Sequence, residues 1–189
     1  FKAESIVSPC AKKAEYQVKN TKDIGSSQFK MLKKLELSNE DHKDLMRYCD
    51  HKGIKFFSTA FDVDGVDYLA KLGFDFFKIP SGEITNFPYL RSIAEKGKPI
   101  VLSTGMASLS EIETTLGILL KFGANKKDIT ILHCNTEYPT PMEDVNLKAM
   151  LTIKEKLGVE IGYSDHTLGI EVPVAAVALG ATVIEKHFT

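Results

Sequence analysis

Lys78 stands inside an apolar run, Phe76-Phe77-Lys78-Ile79-Pro80. A lysine there either reaches solvent from a strand end or is buried, and a buried ammonium needs an anionic partner, which a phosphate or carboxylate ligand would supply. Five small hydroxyl residues, Thr59, Ser81, Ser103, Thr104 and Ser164, fall at the ends of short apolar runs. Any one alone reads as a helix N-cap, whereas five converging on one lysine suit hydrogen-bond donation to an oxyanion. His166 and His187 follow the last two such runs, near the acids Asp165 and Glu185. A lone strand-end histidine is ordinarily structural. Two on adjacent strands can share a divalent ion, Mn²⁺ or Zn²⁺, with Mn²⁺ favoured where substrate and water oxygens complete the shell. His133 beside Cys134 suggests a Cys/His dyad, but adjacent strand residues point to opposite faces, which disfavours it.

These residues need strands to carry them. Apolar runs at 55–59, 75–79, 99–103, 129–133, 159–163 and 181–185 predict six strands, and the helical-period segments between them mark repeated βα units around a parallel sheet. Gly53, Gly73, Gly97, Gly123, Gly158 and Gly180 each precede a strand at the place where a left-handed residue ends a helix. Asn86 and Ser108 are predicted N-caps, the second with Glu111 as a capping box. Residues 38–52 predict a helix. Residues 1–37, with the polar stretch KNTKDIGSSQ and an apolar-periodic segment at 29–37, predict a long βα loop. No GxGxxG follows an early strand, and polar residues close every strand, so the pattern favours a barrel over an open dinucleotide-binding sheet. The expected fold is α/β, an incomplete (β/α)8 TIM barrel with strands three to eight, as one domain over residues 1–189.

The 24 Lys and Arg against 25 Asp and Glu leave a formal charge of −1, which excludes electrostatically driven binding to nucleic acid or anionic membranes. With 43% hydrophobic and 26% charged residues, the composition is that of an ordinary globular domain. Cys10, Cys49 and Cys134 fit neither a disulfide framework nor a CxxC metal site, and no apolar run approaches the roughly 18 residues of a membrane span. A cytoplasmic, reducing location is expected.

The strings FKIPSGEITN, LSTGM, LHCNTEYPTP, GYSDHTLG and IEKHFT resemble the sialic acid synthase family, and AKKAEYQ, KLELS and EYPTP resemble its bacterial legionaminic acid branch. The resemblance implies condensation of phosphoenolpyruvate (PEP) with an open-chain N-acetylmannosamine-type sugar, giving a nonulosonic acid and phosphate, with a divalent metal, usually Mn²⁺. It implies that His166 and His187 hold the metal and that Thr59, Lys78, Ser81, Ser103 and Ser164 surround PEP. By the same likeness Tyr138 contacts the sugar, while Glu83 and Glu185 are acids near the metal and the reacting carbons. Asn135 and Thr136 depart from the sialic acid members, which often place Asn two residues before the tyrosine. That bears on the sugar, not on the reaction.

The family's first two barrel strands and a C-terminal antifreeze-like domain are expected beyond this chain, in a homodimeric parent that extends in both directions. A barrel normally needs about 250 residues and eight strands, so these residues alone are not expected to be a competent enzyme. Two other readings compete: a class I aldolase using Lys78 as a Schiff base, and a non-catalytic sugar-binding barrel fragment.

Overall fold

A computed structural model of the chain describes residues 1–22, 25 and 27–188, in two compact units, Phe1–Gly65 and Val66–Thr189. The first unit holds α1 (Ala3–Ile6), α2 (Glu15–Thr21), α3 (Gln28–Lys33) and α4 (Asn39–His51). The stretch predicted as a loop thus contains three short helices. Ser27 supplies a local reason for the third, since its hydroxyl accepts the Lys30 N–H. The polar stretch at 19–28 lies in part outside the described residues. The helix predicted at 38–52 is α4, opened by a capping box in which Ser38 accepts the Asp41 N–H and Asp41 accepts the Ser38 N–H.

Residues 55–59 are not a strand. Their alternation does produce partial burial, with Phe56, Ser58 and Thr59 half-buried and Lys55 and Phe57 exposed. A strand also needs a neighbour's N–H and C=O groups, and among the described residues no segment forms a ladder with this one. The expected six strands are therefore five.

After α5 (Val63–Lys71), βα alternation is regular: β1 (Phe77–Ile79), α6 (Phe87–Ala94), β2 (Ile100–Ser103), α7 (Leu109–Lys121), β3 (Ile129–Cys134), α8 (Lys148–Leu157), β4 (Glu160–Asp165), α9 (Glu171–Ala178) and β5 (Val183–Lys186). Asn86 caps α6 through the Tyr89 N–H, and Ser108 with Glu111 forms the expected box on α7. All six expected glycines have positive φ. At Gly158, where α8 ends at φ 59°, a side chain would strain the backbone.

The five strands are all parallel and lie in sequence order, β1-β2-β3-β4-β5. A doubly wound sheet reverses its strand order at a switch point, whereas unbroken sequential order is that of a barrel. The curl is legible in one contact. Flat strands four spacings of about 4.8 Å apart would put β1 and β5 roughly 19 Å from each other. Yet Lys78 on β1 lies 3.1 Å from Glu185 on β5, so the sheet bends toward itself as part of a (β/α) barrel.

Register sorts the side chains. The pairings Lys78↔Val101, Ser103↔Leu132, Cys134↔Ser164 and Ser164↔Glu185 put Lys78, Ser103, Cys134, Ser164 and Glu185 on the concave face. The other face carries Ile79, Leu102, Ile131, Ile161 and Tyr163, all fully buried, with α8 and α9 packed on β4. No helix among the described residues is long and apolar enough to cross a membrane.

Gly162 marks the tightest approach within the curl. A Cβ there would meet the Val183 carbonyl at 2.4 Å and Leu132 Cδ2 at 2.5 Å. Gly162→Ala is expected to destabilise the protein by about 1–3 kcal/mol through overpacking, read as a lower denaturant midpoint at unchanged slope.

Candidate active site

Lys78 is 7% exposed, and its ammonium donates to Ser103 Oγ at 2.7 Å while pairing with both Glu185 oxygens, at 3.1 and 3.3 Å. The anionic partner that its burial demands is therefore supplied from within the chain. Glu185 also accepts the Ser164 hydroxyl at 2.7 Å, so one hydrogen-bonded chain, Ser103–Lys78–Glu185–Ser164, joins β1, β2, β4 and β5. Ser103 and Ser164 are both buried.

Ser81 lies in the single 3-10 turn just after β1, where its hydroxyl accepts the Gly105 N–H at 2.9 Å and lies 3.4 Å from Cys134 Sγ. A Cβ on Gly105 would meet Thr136, Ser81 and Cys134, which is why only glycine lets the β2 loop approach so closely. Thr104 is a correction. Its hydroxyl and its N–H both go to the Leu132 carbonyl, at 3.0 and 3.1 Å, so it belongs to the sheet edge and not to an oxyanion site.

His166 and His187 lie side by side, ring centroids 5.5 Å apart, with the Tyr138 ring 4.0 Å from His166 and 5.6 Å from His187. His166 Nδ1 is 2.6 Å from the Asn135 carbonyl. A carbonyl only accepts, so Nδ1 carries the proton and Nε2 keeps its lone pair. Burial holds His166 below the ordinary histidine value of 6.5, with the Asn135 hydrogen bond opposing, and this favours the neutral imidazole. Two imidazoles on adjacent strand ends fit a borderline divalent ion. Among the described residues no group of three His, Cys, Asp or Glu side chains encloses such an ion.

Glu83 turns to the Asn86 side chain at 2.6 Å, at the N-terminus of α6. Thr59 belongs to the first unit, half-buried. Asp165, expected beside the histidines, sits on the helix-facing side, fully buried and paired with Lys186. His133 and Cys134 diverge as their alternation requires, with His133 Nε2 at the Val145 carbonyl and Cys134 near Ser81. The Asp165–Lys186 pair and the Asn135 carbonyl were not anticipated. The one available signal for the pair was an acid before one histidine and a base before the other.

A curled parallel sheet with its polar groups gathered at the C-terminal strand ends defines a (β/α)-barrel with an enzyme-type site. The chain belongs to the NeuB family, whose family model matches residues 1–189. It is 55% identical over 189 residues to the N,N'-diacetyllegionaminic acid synthase of Campylobacter jejuni, covering 100% of this chain and 56% of that protein. It is 40% identical over 156 residues to the N-acetylneuraminate-9-phosphate synthase of Homo sapiens, covering 82% and 43%. Among solved structures, the N-acetylneuraminic acid synthetase of Leptospira borgpetersenii, in complex with citrate, matches with a TM-score of 0.81 at 38% identity, over 95% of this chain and 60% of that one. The chain spans about half the length of the curated relatives it matches.

Burial lowers His133 as well as His166 from the ordinary value of 6.5. Below that pH the unfolded chain binds protons that the folded chain resists, so stability falls as pH drops and is retained above it. Replacing His133 with Asn is expected to flatten the decline in denaturant midpoint between about pH 7 and about pH 5. An unchanged slope would show that His133 titrates alike in both states.

Proposed function

We propose that the parent protein condenses PEP with an open-chain N-acetylated mannosamine-type sugar, releasing phosphate and a nine-carbon 2-keto acid. The sugar is placed in the legionaminic branch, in line with the 55% identity to the C. jejuni synthase and with Thr136 standing two residues before Tyr138. The observation that carries the reaction class is the hydrogen-bonded Ser103–Lys78–Glu185–Ser164 chain beside the His166–His187 pair.

Lys78, Ser103, Ser81 and the Gly105 N–H are the donors suited to PEP's phosphate and carboxylate oxygens, fixed in place before the ligand arrives. His166 and His187 would hold Mn²⁺, which supplies Lewis acidity at the sugar aldehyde. PEP C3 forms a bond to the aldehyde carbon, positive charge develops at C2, water adds there, and the C2–O bond to phosphate breaks. An anion entering this cluster competes with Glu185 for the Lys78 ammonium, and a carboxylate so released can take the water proton. Tyr138 borders the sugar side through its stacking on His166. The same reading makes the enzyme a cytoplasmic homodimer.

Phosphate release by the full-length parent, assayed with Mn²⁺, PEP and a panel of mannosamine derivatives, tests this directly. EDTA should silence turnover and Mn²⁺ restore it, whereas borohydride with pyruvate should leave it intact. Loss of activity to borohydride would point to Schiff-base chemistry. Lys78→Met should raise KM for PEP by roughly ten- to a hundredfold, the loss of one charge-assisted contact of about 1.5–3 kcal/mol. An unchanged KM would remove Lys78 from the PEP site.

A further inference from the structure

We propose that Asp165 and Lys186 are positioning residues that set the separation of His166 and His187, a role that rests on reading those histidines as metal ligands. Each charged residue immediately precedes one of the histidines. Asp165 and Lys186 are registered partners on β4 and β5 and form the last rung of that ladder. Strand alternation sends the charged side chains to the helix-facing side and the two imidazoles to the concave side.

The Asp165 carboxylate is fully buried, and both of its oxygens are used. Oδ1 accepts the Thr167 N–H at 3.0 Å and the Thr167 hydroxyl at 2.8 Å, while Oδ2 accepts the Lys186 ammonium at 2.5 Å. Lys186 donates again to the Thr167 carbonyl at 2.8 Å. Residues 165 and 167 on either side of His166, and residue 186 before His187, are thereby tied into one knot. Strand pairing ends at this rung, so the knot takes over the work of holding the backbone where the two rings emerge, 5.5 Å apart. Groups behind a metal ligand fix its orientation in this way and are worth about ten- to a hundredfold in metal affinity.

A purely structural pair would change stability and leave the affinity of the folded protein alone. The test uses the full-length parent, stripped with EDTA and titrated with Mn²⁺ while free ion is followed by electron paramagnetic resonance. Lys186→Met strands a buried carboxylate and should lower the melting temperature. The double variant Asp165→Asn/Lys186→Met removes both charges and should recover much of that loss. In both, the Mn²⁺ dissociation constant should rise about tenfold, and a crystal structure of the double variant should show the rings displaced from their 5.5 Å separation. A double variant that binds Mn²⁺ as tightly as the unaltered enzyme, or that keeps the ring separation, overturns the proposal. If the unaltered enzyme takes up no Mn²⁺, the ligand reading fails by itself, and the ring separation in the double variant still decides the positioning.

Discussion

Lys78 and Glu185 are separated by 107 residues in the chain and by 3.1 Å in space. The geometry between those two figures is the curl of the sheet, because side chains from β1 and β5 cannot meet across a flat one. Bending brings the charges together, and the buried Lys78 ammonium would be costly without the half-buried Glu185 carboxylate beside it. Ser103 and Ser164 satisfy what the pair leaves open, so the same four residues that report closure of the sheet are those with chemistry to offer. Buried ion pairs are poor sources of net stability, since desolvation offsets most of the attraction. The pair is better understood as an electrostatic arrangement fixed in place by the sheet, a buried ammonium facing a carboxylate that solvent partly reaches.

The two faces of β4 and β5 divide the labour. On the concave side stand the buried Ser164 and, more exposed, His166, Glu185 and His187. On the helix side, Ile161 and Tyr163 are packed out of solvent, and burial is the main cause that raises the Tyr163 hydroxyl to about 12. The Asp165–Lys186 pair is the exception to the apolar character of that side, and it sits at the strand ends, where the sheet gives way to loops. Backbone anchoring and ligand contact are thus assigned to alternate residues of the same short strings.

The strands from β1 onward were legible because apolar runs, helix caps and closing glycines are local signals, all present between Lys71 and Lys186. Residues 55–59 misled because an apolar alternation reports burial, while a strand depends on a partner whose position no local pattern encodes. Lys78 could be recognised as an anomaly, but its partner lies four strands away, and only the curvature of the sheet names Glu185. Thr104 shows the converse. Residue type announces a donor, yet whether that donor meets a ligand or, as here, the Leu132 carbonyl depends on the neighbouring strand. Asp165 was read only as an acid near His166, although strand alternation between the two already implied that it faces the other way.

The strict alternation on β4 and β5 also bears on how such a protein can change over time. A one-residue insertion or deletion within either strand would exchange the faces, burying an imidazole among the helices and turning Asp165 or Lys186 toward the ligand. Point substitution is therefore open to these strands and length change is closed. The segment from Asn135 to Thr140 is bound by no such rule, because it is not a strand and meets the histidines through the Asn135 carbonyl, the Tyr138 ring and the Thr140 N–H, which donates to the His166 carbonyl at 2.9 Å. Substitutions and changes of length can accumulate there while the strand ends stay as they are, so descendants of one ancestor would keep the two imidazoles in place and diverge in what surrounds them.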